Sequence, residues 1–288
     1  MSRENGNDLL THTLITGADG MVGHYIDFGI RTNHRKLDVT DLKEVLAVCR
    51  KNMPKVIIHL AAETDVDRCE RDVTYAYMIN AIGTYNMAVA AKDVGAKLVY
   101  VSTSAVFDGE KEGPYLESDV PRPQNYYGHT KYLGELAAQG LLNDVIIARV
   151  CWMFGGGPEK DVKFISKVIK QVDQPVIKIV SGKRGSPTYA KDLIASIIKL
   201  IVENKKGIFH MSNVGSPTRV DVAREIVKIM NSSAKIEEVS PEFFGLDANR
   251  PNNESIASRI SYMRPWQDAL REYILNEWVA KEKNKYEK

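Results

Sequence analysis

Thr13-Leu14-Ile15-Thr16-Gly17-Ala18-Asp19-Gly20-Met21-Val22-Gly23 is the stretch that decides the fold. Its apolar, β-branched start reads as a strand. Glycines at i, i+3 and i+6 directly after it permit a tight turn, close approach of the backbone to a pyrophosphate, and tight packing of a following helix on the sheet. The free amides of that new helix then face phosphate oxygens. The spacing differs from the Gly-x-Gly-x-x-Gly dinucleotide fingerprint, and an ordinary turn is the alternative, but its place after the first strand favours the nucleotide reading.

Downstream, strand-like and helix-like segments alternate, which predicts an α/β protein with a doubly wound, Rossmann-like parallel sheet covered on both faces. A helical region begins near Asp41, Val56 to Leu60 reads as a strand, and a long helical pattern runs from about Asp72 to Val94. Leu98 to Ser102 and Val145 to Arg149 supply further strands on either side of a helix carrying Tyr127. Residues 12–155 are assigned to a dinucleotide-binding domain. Residues 156–288, with turns at Ser186-Pro187 and Gly215-Ser216-Pro217, are assigned mainly to a smaller substrate-binding portion interleaved with the first.

At 288 residues and 44% hydrophobic, the chain is able to bury a large core. Its 39 basic and 37 acidic residues are dispersed, without a basic stripe interleaved with aromatics, which argues against a nucleic-acid partner. Cys49, Cys69 and Cys151 have neither zinc-site spacing nor the even count of a disulfide framework, so a reducing, cytoplasmic setting is expected. Met1 to Asp8 lacks an apolar signal core, and the apolar run from Leu193 to Val202 is interrupted by Lys199 and too short for a bilayer, so no membrane association is expected. Lys281 to Lys285 reads as a solvated helix end.

Tyr127 and Lys131 stand four apart, on one face of a helix. A unit charge about 4 Å away is worth roughly 1 kcal/mol in water and about 4 at an effective dielectric of 20, enough to bring a phenol toward neutral pH and make it a proton donor. In a doubly wound sheet ligands bind beyond the carboxyl ends of the strands. Three such ends are small or polar: Gly17 to Gly23, Ala61-Ala62-Glu63-Thr64, and Ser102-Thr103-Ser104. Helix and turn capping is the alternative for the hydroxyls of Ser102 and Thr103.

Together with Leu60-Ala61-Ala62 and Asn80-Ala81-Ile82-Gly83-Thr84, these motifs resemble the extended short-chain dehydrogenase/reductase family. More narrowly, Ala61 to Asp67, Tyr115 to Pro123, Gly185 to Leu193 and Arg250-Pro251 resemble the dTDP-4-dehydrorhamnose reductases, over about residues 12 to 260. The resemblance implies hydride transfer from a nicotinamide to the C4 ketone of a nucleotide-linked 4-keto-6-deoxyhexose, as in dTDP-rhamnose biosynthesis. By resemblance, Tyr127 hands its proton to the developing alkoxide, Lys131 lowers the phenol pKa and holds the nicotinamide ribose, and Thr103 hydrogen-bonds the carbonyl oxygen. Cofactor contacts fall to Gly17, Asp19, Gly20, Met21, Val22, Gly23, Ala61, Ala62, Thr64 and Ser102, with Asp38 and Val39 beside the adenine. Asn80 matches a family asparagine, for which helix bracing is the alternative. Substrate contacts fall to Ser104, Val106, Trp152 and Arg250. Trp152 lies over the sugar or else in the core, and Arg250 pairs with the diphosphate or else forms a surface salt bridge.

Two departures stand out. Many such reductases read Ser-Thr-Asp-Tyr-Val-Phe where this chain has Ser102-Thr103-Ser104-Ala105-Val106-Phe107, which removes a carboxylate and a ring beside the substrate. The segment from Tyr25 to Asp38 is short for a full first helix and second strand, and no acid stands clearly at the end of that strand to take the adenosine ribose hydroxyls. Arg31, Arg35 and Lys36 suit a 2'-phosphate, which favours NADPH over NADH, with solvated loop charge as the alternative. His24, His34, His59, His129 and His210 show no metal-ligand spacing, and His59 reads as a core histidine. Trp266, Tyr273 and Trp278 read as the apolar face of a final helix, a candidate homodimer surface. The expected activity is that of an NADPH-dependent nucleotide-sugar 4-reductase. A non-catalytic, dinucleotide-binding regulatory subunit is the alternative, suggested by Ser104 and Ala105.

Overall fold

The computed structural model describes residues 8–258, 260 and 262–280, so Met1 to Asn7 and the basic Lys281 to Lys285 stretch lie outside the described residues. Ten strands are present among them: β1 (Thr13–Thr16), β2 (Ile30–Arg31), β3 (Val56–His59), β4 (Lys97–Thr103), β5 (Val145–Val150), β6 (Met153–Phe154), β7 (Val176–Val180), β8 (Thr188–Tyr189), β9 (Gly207–His210) and β10 (Lys235–Val239). Six form one parallel sheet in the order β2-β1-β3-β4-β5-β9, the Rossmann-like arrangement. β1, β3 and β5 are buried at every position, as strands covered on both faces must be. β9, from far along the chain, completes the sheet beside β5, with His210 opposite Arg149.

One face of the sheet packs Ile15, Ile58, Val99, Ile146 and Ala148 against the Ala190–Val202 helix. The other packs Leu14, Ile57, Leu98 and Ile147 against the Leu42–Asn52 and Gly83–Val94 helices. The Leu42–Asn52 helix starts where Asp41 accepts hydrogen bonds from the amides of Lys43 (2.8 Å) and Glu44 (3.1 Å), a side-chain N-cap. The helical stretch from Val73 to Val94 contains a π turn, Tyr77–Ile82. Asn80 lies in that turn and ties it to the β3 rim, its Oδ1 accepting from the Glu63 amide (2.9 Å) and its Nδ2 donating to the Glu63 carbonyl (3.1 Å).

The segment after the glycine turn is as short of helix and strand as its length led one to expect. After Gly23 there is one 3-10 turn, Gly23–Tyr25, in place of a helix, and the chain extends again at Ile26 before the two-residue β2.

The C-terminal portion has its own core, in which Phe154, Tyr189, Ile226, Trp266, Tyr273 and Trp278 pack together. Trp266, Tyr273 and Trp278 are therefore covered within the chain, which removes the reason for assigning that face to a homodimer. No helix among the described residues is long and apolar enough to cross a membrane.

Candidate active site

A cleft of about 1720 Å³ opens beyond the carboxyl ends of β1, β3, β4 and β5. Gly17, Asp19, Gly20, Met21 and Val22 line it from the β1 turn, with Asp38 and Val39 beyond β2. Ala61, Ala62 and Thr64 line it after β3, and Ser102, Thr103 and Ser104 after β4. Gly17 has φ +64°, and a Cβ there would lie 2.8 Å from the Ala61 nitrogen. The bare backbone thus lets the β1 turn close on the β3 rim, leaving an amide-lined cradle that fits a dinucleotide phosphate.

Thr103, Tyr127 and Lys131 meet in this cleft. The Tyr126–Leu141 helix begins at Asn125, whose Oδ1 accepts from the Gly128 amide (2.8 Å), and Gly128 packs against the Ala105 carbonyl so tightly that no Cβ fits. That contact sets Tyr127 beside Thr103. The Thr103 oxygen also caps the following turn, accepting from the Ala105 amide (3.1 Å), so its side chain is fixed. Lys131 is buried, its ammonium 4.2 Å from the centre of the Tyr100 ring, and it donates no hydrogen bond to a described residue. An ammonium so placed fits a ligand that brings hydroxyl acceptors, such as a nicotinamide ribose.

The electrostatics depart from the spacing argument. Burial pushes the Tyr127 phenol up to about 12, the Thr103 side chain beside it drawing it part of the way back. Burial pushes Lys131 down to about 7, opposed by the Glu135 carboxylate one turn on. Desolvation is the largest cause for both groups, so the phenol is raised and not acidified toward neutrality as spacing alone predicts. A phenol held protonated is still the form that can give a proton to an alkoxide.

Below the site, Glu135 accepts from Arg149 Nε (2.9 Å) and Nη2 (2.6 Å) and from Ser102 Oγ (2.5 Å), all within the interior. This pair was not singled out from sequence, although Glu135 repeats the four-residue spacing and Arg149 interrupts an apolar strand.

Several expected contacts fall elsewhere. Val106 is fully buried with Phe107, Tyr115, Cys151 and Ile256, outside the cleft lining. Asn80 and Gly23 also lie outside the lining, Asn80 as the brace described and Gly23 packed where an added Cβ would collide with the Ala18 carbonyl. Arg31 is not in the lining, and its Nη2 donates to the Ala18 carbonyl (3.0 Å). Neither Arg35 nor Lys36 lines the cleft; Asn33 and His34 do. Trp152 and Arg250 do line it. Trp152, at φ 39°, donates from Nε1 to Glu254 (3.0 Å). Arg250 donates to Asp67 (2.9 and 2.8 Å), holding that carboxyl below its usual range. Sequence reading missed Lys163, Phe164, Lys183, Arg219 and Glu254, which line the opposite wall. No motif marks them.

A parallel nucleotide-type sheet with a threonine, a tyrosine and a lysine gathered at its carboxyl rim defines an oxidoreductase of the short-chain dehydrogenase/reductase class. The chain belongs to the RmlD substrate binding domain family, whose model matches residues 11–278. It is 32% identical over 278 residues to the spore coat polysaccharide biosynthesis protein SpsK of Bacillus subtilis (strain 168), covering 92% of this chain and 97% of that protein. It is 33% identical over 230 residues to the dTDP-4-keto-6-deoxy-D-glucose reductase of Streptomyces niveus, covering 76% and 78%. The crystal structure of dTDP-4-dehydrorhamnose reductase from Bacillus anthracis str. Ames in complex with NADP superposes with a TM-score of 0.87 at 34% identity, covering 91% of this chain and 98% of that one.

Proposed function

We propose that this protein reduces the C4 ketone of a dTDP-linked 4-keto-6-deoxyhexose, with NADPH as the reductant. The observation that carries the reading is the convergence of Thr103, Tyr127 and Lys131 in one cleft, in a chain that matches NADP-bound dTDP-4-dehydrorhamnose reductase along nearly its whole length. NADPH, when bound, supplies the hydride that reaches the ketone carbon. The Thr103 hydroxyl donates to the ketone oxygen and orients it. As charge develops on that oxygen, the Tyr127 phenol transfers its proton there, giving the alcohol. Lys131, with its donors unused by the described residues, holds the nicotinamide ribose. The case for NADPH rests on the NADP complex of the relative, since the basic residues near β2 lie outside the cleft lining. Since all three reacting side chains line the cleft, nothing in the site favours a non-catalytic role.

The test is NADPH consumption by the purified protein with dTDP-, UDP- and GDP-linked 4-keto-6-deoxyhexoses. Loss of NADPH absorbance with the dTDP sugar above the others is the expected outcome. No loss with any of them overturns the reading.

A further inference from the structure

Beside Lys163, which donates to Thr64, the wall facing Tyr127 carries three cations whose side chains are used differently. The Arg250 guanidinium is committed to Asp67 and to the Ala248 carbonyl (3.0 Å). Lys183 donates to the Arg250 carbonyl (2.7 Å) and to Asn252 Oδ1 (2.8 Å). Arg219 is the first residue of the Arg219–Ile229 helix, set in place by a capping box between Thr218 and Asp221 and by its own amide donating to the Lys183 carbonyl (3.0 Å). Its guanidinium carbon lies 4.5 Å from the centre of the Trp152 ring and 4.6 Å from that of Phe164. The guanidinium gives no hydrogen bond to an acceptor among the described residues, although it borders the cleft. Glu254, the carboxylate that acts on it, accepts instead from Trp152. Arg219 lines the same cleft as Tyr127 and lies against Trp152, so it borders the space open to a hexose that offers its C4 ketone to Tyr127.

We infer that Arg219, seated in the angle between the Trp152 and Phe164 rings, binds the diphosphate of the nucleotide-sugar substrate, while Arg250 ties the segment around Ala248 to Asp67. This rests on the proposed reductase reading. A guanidinium presents a rigid planar fork that matches two phosphate oxygens at once, and the flanking rings hold it in the orientation it needs, so little side-chain freedom is lost on binding. The rings attract the cation without accepting any of its N–H groups in a conventional hydrogen bond, so its five donors stay available to the ligand. Arg250 would have to abandon a bidentate carboxylate to do the same.

The experiment is calorimetric binding of dTDP, thymidine and NADPH to the wild type, Arg219→Met and Arg219→Lys. Arg219→Met is expected to weaken dTDP roughly ten- to hundredfold, the range for losing a charged hydrogen-bond donor, with thymidine and NADPH unchanged. Arg219→Lys keeps the charge and loses the fork, so it recovers only part of the dTDP affinity. Unaltered dTDP binding in Arg219→Met overturns the inference. So does a parallel loss of thymidine, which shows that Arg219 merely props Trp152. If Arg219→Met melts well below the wild type, Arg219→Lys decides: full wild-type dTDP affinity overturns the phosphate fork. Wild-type protein that binds dTDP but consumes no NADPH with any 4-keto-6-deoxyhexose sinks the reductase reading and leaves Arg219 in place. An active reductase whose dTDP affinity ignores Arg219 sinks only this inference.

Discussion

The two walls of the cleft are built by different means. The cofactor-side wall comes from consecutive residues at the ends of β1, β3 and β4, and its shape is set by backbone: Gly17 closing on Ala61, and Asn80 holding the Glu63 amide. The facing wall gathers Trp152, Phe164, Lys183, Arg219 and Glu254 from five separate places in the chain. It is joined by side-chain pairs, among them Trp152 to Glu254, Arg250 to Asp67 and Lys163 to Thr64 (3.1 Å). A backbone-built wall is costly to alter and suits a ligand that never changes. A side-chain wall can be rewritten one residue at a time, and so suits the part of the ligand that distinguishes one nucleotide sugar from another.

Tyr127 stands where the walls meet, and its removal carries the largest expected effect. Tyr127→Phe keeps the ring and deletes the proton donor, so turnover is expected to fall at least about a hundredfold, within the usual range for general acid catalysis. NADPH and dTDP affinities should stay near wild type. Steady-state rates alongside the two titrations check this, and a turnover within a few-fold of wild type removes Tyr127 from the mechanism.

Gly17→Ala tests whether the walls are independent. At φ +64° a Cβ lies 2.8 Å from the Ala61 nitrogen and 2.9 Å from the Leu60 carbonyl carbon, both backbone atoms that cannot swing aside. Strain of about 1–3 kcal/mol should weaken NADPH roughly five- to a hundredfold, with dTDP affinity unchanged. An equal loss of both ligands in paired fluorescence titrations would show the walls to be one mechanical unit.

The same contrast explains what was legible in the sequence. Buried strands and N-caps are local, so β1, β3, β4, β5 and the Asp41-capped helix follow from patterning. Thr103, Tyr127 and Lys131 were legible because motif and strand end coincide. The four-residue spacing gave the neighbourhood of Tyr127 and Lys131 but not their burial, and burial decides the direction of both pKa shifts. Val106 sits in a motif that reads as cleft, yet its side chain faces Phe107 and Tyr115 in the core, an orientation that no spacing encodes. Trp266, Tyr273 and Trp278 announced a covered face without saying what covers it, and Phe154 and Tyr189 from distant segments do. Arg219 was invisible because an arginine at a helix start is ordinary, and only the rings brought to it make it otherwise.

The smallest effect concerns a histidine behind each wall. His59 ends β3, its Nδ1 2.8 Å from Thr16 Oγ1, and burial pushes its pKa down to about 3, with the Lys131 charge adding to the shift. His210 ends β9, its Nδ1–H donating to the Tyr115 and Ala257 carbonyls (both 3.0 Å), and burial pushes it down to about 4, opposed by Glu117. Both folded values lie below the ordinary histidine value of 6.5, so below that pH the unfolded chain takes up protons that the folded chain refuses. Stability must therefore fall as pH drops from about 6.5, by up to about 1.4 kcal/mol per pH unit for each ring. Carboxylates titrate mostly below this window, and Lys131, losing its proton near 7 when folded, acts on its alkaline side. Urea midpoints at pH 7, 6 and 5 read the slope. His59→Gln should halve it, leaving the His210 contribution behind the substrate wall. A flat profile between pH 6.5 and 5 would mean that neither ring is held neutral, and a slope that His59→Gln leaves whole would assign all of it to the substrate side.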